Sequence, residues 1–264
     1  MTRSSRFLLL LLLLLPALAI GTRAAAAADY ACGTPSAGHC YGNNRWTQPT
    51  EYFGAYTDVR QARMACPAGC GGFVDNEIWM VDNGSPGCRA NRFGMCWVEA
   101  GSIALDGINS PVFFWADARP TNQSTFNLHL LGNVDPVGTQ DHYMILKDGR
   151  VRPNSFLVFI YNDGLRTLYG GASTIPTGNP MAAHRIDIGQ ELAGTQFASA
   201  DRADYTRNIW AVGPLGPEYV FWYVRQTAPG LVGSANPPTA SWTISPASPP
   251  PPEGGQFTTS CCRH

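Results

Sequence analysis

Three glutamates stand in stretches that are otherwise mostly apolar: Glu77 in Glu-Ile-Trp-Met-Val, Glu99 in Trp-Val-Glu-Ala-Gly, and Glu191 in Gly-Gln-Glu-Leu. A carboxyl group is a general base when ionised and a general acid when protonated. Two of them whose surroundings push their pKa values apart can therefore activate water and protonate a leaving group. Glu99 is the first to question, because period-2 alternation puts it on one face with Trp97, and burial beside tryptophan disfavours a charged carboxylate. A glutamate on a half-exposed strand commonly just faces solvent, and Asp75-Asn76 ahead of Glu77 point to an exposed edge there.

Other chemistries find less support. The chain has no Gly-x-Ser-x-Gly, no His-Glu-x-x-His and no phosphate-binding glycine loop. Asp141-His142 could orient an imidazole, yet no serine is marked as its partner. Asp82-Asn83-Gly84 reads as a turn rather than a calcium loop. Cys66, Cys70 and His39 lack the paired spacing of a zinc site, so neither a metal nor a cofactor is expected.

The glutamates need strands to hold them. From Phe73 to Arg119 the sequence reads as three consecutive strands. Glu77, Trp79 and Val81 share a face of the first, and Trp97 and Glu99 share a face of the second. The third, Val112 to Ala116, is apolar on both faces. Further strands are expected at Glu51–Val59, Phe126–Leu131, His142–Lys147, Phe156–Tyr161, Leu165–Tyr169, Arg185–Leu192, Ile209–Gly213 and Tyr219–Gln226. Asp148-Gly149 and Asn162-Asp163-Gly164 supply tight turns. Short strands at this spacing, without a helical period, predict an all-β, antiparallel two-sheet β-sandwich of jelly-roll or concanavalin-like form.

The first 28 residues read as a signal peptide: Arg3 and Arg6, an apolar core from Phe7 to Leu15, then a small-residue run from Ala24 to Ala28. Residues 29–234 form one sandwich domain, and 235–264 a Pro-rich tail outside it. Eight cysteines in an exported chain favour disulfides, Cys88–Cys96 and Cys66–Cys70 being the local pairings. The 264-residue chain carries a net charge of −1, and the leader holds three of its 18 basic residues. The mature remainder is acidic, which argues against a nucleic-acid partner. A secreted monomer with no later membrane span is expected, acting on an extracellular polypeptide or polysaccharide.

The motifs His39-Cys40-Tyr41-Gly42, Asn76-Glu77-Ile78-Trp79, Trp97-Val98-Glu99-Ala100-Gly101 and Phe114-Trp115-Ala116-Asp117-Ala118-Arg119-Pro120 resemble those of a group of secreted bacterial proteins. More distantly, the order Glu77-Ile78-Trp79, Glu99-Ala100-Gly101, Phe113-Phe114-Trp115 and then Gly189-Gln190-Glu191-Leu192 resembles the catalytic domain of neprosin, a glutamic endopeptidase. That resemblance implies a two-glutamate dyad of Glu99 and Glu191. The chain departs from it in lacking an obvious activation propeptide and in having Ala-Gly-Ser after Glu99. Asn76-Glu77-Ile78-Trp79-Met80-Val81 also looks like the nucleophile strand of jelly-roll endoglucanases. There Glu77 would be catalytic, and Trp79, Trp97 and Trp115 would be platforms for a glycan. A carbohydrate-binding module would use the same aromatic groove without chemistry.

Overall fold

A computed structural model of the chain describes residues 39–47, 49–108, 110–120, 126–134, 136–148, 155–164, 166–174, 181–193, 199–211, 223–225, 242–246 and 255–261. The expected signal peptide lies outside them. In chain order the strands are β1 (His39–Thr47), β2 (Gly54–Arg60), β3 (Met64–Ala65), β4 (Phe73–Asp82), β5 (Cys96–Leu105), β6 (Val112–Ala118), β7 (Asn127–Asn133) and β8 (Gln140–Asp148). Then come β9 (Ser155–Asn162), β10 (Thr167–Thr174), β11 (Arg185–Ala193), β12 (Ser199–Ala211), β13 (Tyr223–Arg225), β14 (Trp242–Pro246) and β15 (Gly255–Cys261). One helical turn, α1 (Pro86–Arg89), lies between β4 and β5.

These strands form two antiparallel sheets packed face to face. The first has six strands in the order β1-β11-β4-β5-β6-β7. The second runs β10-β9-β8-β2-β12-β15-β14, with β3 and β13 pairing onto β12. The expected sandwich is therefore correct. The hairpin expected at Asp148-Gly149 also pairs as read, with His142 opposite Tyr161.

Alternation makes the core. Ile78, Met80, Val98, Ala100, Phe113 and Trp115 of the first sheet point inward to meet Ala55, Val59, Tyr143, Ile145, Phe156, Val158, Ile160 and Tyr205 of the second. Each large side chain buried this way contributes about 1.5–3 kcal/mol. The glutamate-bearing face of β4 and β5 is the other one, turned away from the core.

Two buried hydrogen-bond networks lock the strands beneath that face. Tyr205 donates its hydroxyl to the Gly189 carbonyl (2.6 Å), and Gln190 Nε2 donates to Asn76 Oδ1 (2.9 Å), tying β12, β11 and β4 together. Gln61 Nε2 donates to Tyr143 Oη, Tyr143 to Ser102 Oγ, and Ser102 to Gln61 Oε1, closing a ring under β5. Satisfied polar groups in a core fix register, and register decides which side chains face outward.

Cys66–Cys70 and Cys88–Cys96 are disulfide-bonded, as the spacing predicts, so Cys66 and Cys70 are not zinc ligands. The tail differs from its reading. Within 235–264, β14 and β15 pair with each other, and β15 also pairs with β12, so the tail extends the second sheet. Among the described residues no helix is long and apolar enough to cross a membrane.

Candidate functional site

The outward face of the first sheet can be read as a grid from its pairing. Trp79 of β4 stands opposite Asp187 of β11 and Glu99 of β5. One step along, Glu77 stands opposite Gly189 and Gly101. A further step brings Asp75 opposite Glu191 and Ile103. Glu99, Glu77 and Glu191 therefore run diagonally across three adjacent strands on one face, with Glu77 in the middle. Both neighbours of Glu77 in the ladder are glycines, so no side chain stands beside it on either flanking strand. The close approach is strict: a Cβ at Gly101 would lie 2.1 Å from the Asn76 carbonyl oxygen, and one at Gly189 would lie 2.3 Å from that of Gly42.

All four carboxyls are buried: Asp75, Glu77 and Glu191 are 2–3% exposed, and Glu99 is 7% exposed. The expected exposed edge at Glu77 is thus corrected. β4 is an interior strand, covered on both sides by β11 and β5. Carboxyl oxygens of Asp75, Glu77 and Glu191 lie within 4.8 Å of one another, a separation that a hard cation or shared protons can bridge. Asp75 Oδ1 also accepts the backbone N–H of Glu191 at 3.0 Å.

So many buried carboxyls cannot all ionise together. Burial, reinforced by the charge of Glu191, pushes the Glu99 carboxyl up to about 8, while polar contacts with Trp97 and Glu77 pull the other way. Burial also pushes Asp75 and Glu77 well above the usual carboxylate range. The charges of Glu191 and Glu99 add to the shift at Asp75, and those of Asp75, Glu191 and Glu99 add to it at Glu77. Glu191 has an imidazole partner: His39 Nδ1 hydrogen-bonds Glu191 Oε1 from β1, and that bond raises the imidazole pKa against the opposing effect of burial. Tyr41, opposite Glu191 in the ladder, has its phenol pushed up by burial and then by the charge of Glu191, which keeps it protonated.

Aromatic rings rim the carboxyls. Tyr41 meets Trp79 edge-on at 5.6 Å, Trp79 stacks on Trp97 at 6.0 Å, and Phe93 and Phe126 meet Trp97 at 5.0 and 6.1 Å. Trp115 does not join them. It faces the core and stacks on His129 at 3.9 Å, because Phe114 and Ala116 hold the outward positions of β6. The structure thus gathers Glu77, Glu99, Glu191, Trp79 and Trp97 on one face and leaves Trp115 on the other. His39 and Asp75 belong to the site although their residue types in the sequence do not mark them for it. The signal that could find them is period-2 placement, His39 with Tyr41 and Asp75 with Glu77.

No family model and no curated protein matches the chain. Solved structures do. It is similar to scytalido-glutamic peptidase with a transition state analog inhibitor, at 8% identity and a TM-score of 0.56, covering 84% of this chain and 98% of that one. It is also similar to SCP-B, a member of the Eqolisin family of peptidases in complex with the tripeptide Ala-Ile-His, at 8% identity and a TM-score of 0.54, with the same coverage. At that identity the likeness establishes a shared β-sandwich fold.

Proposed function

We propose that this chain is a secreted glutamic-peptidase-like hydrolase that cleaves polypeptides with Glu99 and Glu191. The observation that carries the reading is their common face, opened by Gly101 and Gly189, on which burial raises the Glu99 carboxyl to about 8 and His39 hydrogen-bonds Glu191. The fold shared with peptidases that use glutamate supports it.

In the proposed reaction Glu99, whose carboxyl burial pushes up to about 8, is the acid, and Glu191, hydrogen-bonded to the His39 imidazole, is the base. Water attacks the scissile carbonyl carbon as Glu191 takes its proton. Glu99 hydrogen-bonds the carbonyl oxygen while charge develops there, then gives its proton to the leaving nitrogen as the C–N bond breaks. Between turnovers Glu191 gives that proton to water and Glu99 takes one back from it. The net change is addition of one water across one amide bond.

The glycan readings have less to stand on. A stacking platform must offer an open ring face, and Trp79, Trp97 and Trp115 are only 5–7% exposed.

The test is digestion of an unfolded, proline-rich protein at acidic pH, read by mass spectrometry, alongside Glu99→Gln and Glu191→Gln. Cleavage lost in both variants is expected. An intact substrate after exposure to folded wild-type protein overturns the proposal.

A further inference from the structure

At the Trp79 end of the same face, two guanidinium groups share one carboxylate. Arg45 of β1 donates from Nε to Asp187 Oδ1 at 2.7 Å and from Nη2 to Asp187 Oδ2 at 3.4 Å. Arg185 Nε lies 2.9 Å from Asp187 Oδ2 on the other side. That contact is off the hydrogen-bonding line, so among the described residues the buried Nε–H of Arg185 has no directed acceptor, and its Nη2 meets the Met95 sulfur at 3.8 Å. Asp187 is 2% exposed and is the only carboxylate among the described residues in ion-pair contact with either arginine. Two positive charges therefore face one negative charge, and one cation is left uncompensated. The Arg45 side chain is 35% exposed, so the cluster is open to solvent on the Arg45 side.

A structural clasp between β1 and β11 would need one arginine. The second is costly: it places like charges together, partly desolvated, with donors unspent. An anion completes the set. A guanidinium fork matches a planar carboxylate through paired N–H donors, and such charge-assisted bonds are about twice as strong as neutral ones. Asp187 stands directly opposite Trp79, which stands directly opposite Glu99, so an extended chain crossing the sheet at Glu99 reaches the strand of Arg185 two strands away, about 10 Å, and that of Arg45 three strands away, about 15 Å.

Resting on the peptidase reading, we infer that Arg45 and Arg185, held by Asp187, form a subsite that recognises a carboxylate of the bound polypeptide. The carboxylate is either an acidic side chain or the chain's C-terminus. The subsite sets which peptides bind and on which side of the scissile bond their negative charge lies.

Binding rather than turnover tests this, with Glu191→Gln protein so that nothing is cleaved. Short peptides are compared in two matched pairs, free C-terminus against C-terminal amide and internal Glu against internal Gln, by calorimetry or by the fluorescence of Trp79 and Trp97. In one pair the acid should bind about tenfold or more tightly than its neutral partner, and the responding pair names the source of the carboxylate. Arg45→Gln should bring that ratio to about one at unchanged melting temperature, and Arg45→Lys should keep part of it. Equal binding within both pairs, or a ratio that survives Arg45→Gln, overturns the inference. Carboxylate-selective binding by a protein whose wild type never cleaves would sink the peptidase reading alone. Cleavage with no preference between acid and neutral peptides would sink the subsite alone.

Discussion

His39 and Glu191 are 152 residues apart in sequence and joined by a hydrogen bond between imidazole Nδ1 and carboxyl Oε1. The register of β1 on β11 makes the contact: Tyr41 stands opposite Glu191, and His39 stands one outward-facing position further along. The imidazole gives Glu191 a hydrogen-bonding partner on the side away from Asp75 and Glu77. His39 is thus a positioning residue for the proposed base.

Replacing it gives the first prediction. His39→Ala should leave the fold intact, since the side chain is half exposed. It should lower kcat by about tenfold or more. The pH profile should also lose the limb set by the imidazole, whose pKa the Glu191 bond raises. His39→Gln should restore folding contacts but not that limb. A profile that keeps its shape in both variants would show that the imidazole does not act on Glu191.

Stability should depend on pH in one direction. Glu99 has a folded pKa raised from 4.5 to about 8, and Asp75 and Glu77 are raised as well. Between those limits the folded chain binds more protons than the unfolded one, so stability falls as pH rises. His39, also raised, acts in the same sense: its contribution is present below the ordinary imidazole pKa and is lost as pH rises through the folded value. Melting temperature should therefore be highest on the acidic side and decline from about pH 4.5 to about pH 8. A melting temperature that rises across that window would contradict the buried, protonated carboxyls.

Much of this is legible in the sequence, and where it is not the reasons are specific. β4 and β5 are readable because apolar residues alternate strictly along them, and they bring Glu99 into view as a strand carboxyl. β1 reads only as an extended segment, since His39-Cys40-Tyr41-Gly42-Asn43-Asn44 carries little apolar signal. It forms a strand because β11 pairs with it, burying Asn43 and Asn44. Trp115 reads as a groove residue because alternation gives two faces without saying which is inward. The register across the β5–β6 turn decides that, and a one-residue change flips the strand. Prolines conceal β14 and β15, whose pairing depends on β12 rather than on local propensity.

Those last strands give a further prediction. Truncation after Ala235 removes β14 and β15 and strips β12 of a neighbour along Ala200 to Asn208. The loss should lower the melting temperature by several degrees, about the effect of 1–2 kcal/mol in a domain of this size. A truncated chain that melts with the full one would mean that β15 adds nothing to the sheet.

The glycines beside Glu77 should tolerate no side chain. Gly101→Ala would force a methyl against the Asn76 carbonyl, and Gly189→Ala another against that of Gly42. Backbone on both sides leaves no flexible group to yield, so each should destabilise by about 1–3 kcal/mol or more. Chemical denaturation measures it. Wild-type midpoints in both variants would show that the sheet opens at these points without cost.

The most discriminating prediction sets the three glutamates against one another. A protonated carboxyl and an amide have nearly the same shape and each offers a hydrogen-bond donor, so glutamine imitates a glutamate that is neutral at the working pH. Glu77 is raised well above the ordinary range by burial and by its carboxyl neighbours. Glu77→Gln should therefore keep the fold and most activity in acid, whereas Glu77→Leu, which offers no polar group to Asp75, Glu191 or Glu99, should lose both. Glu99→Gln keeps a donor for the oxyanion but has no proton to give, and turnover should fall by about 10²- to 10⁴-fold with KM little changed. Glu191→Gln removes the base altogether and should cost at least as much. If Glu77→Gln instead abolishes hydrolysis while Glu99→Gln spares it, the chemistry belongs to Glu77, as the endoglucanase reading requires, and soluble glucans become the substrate to assay.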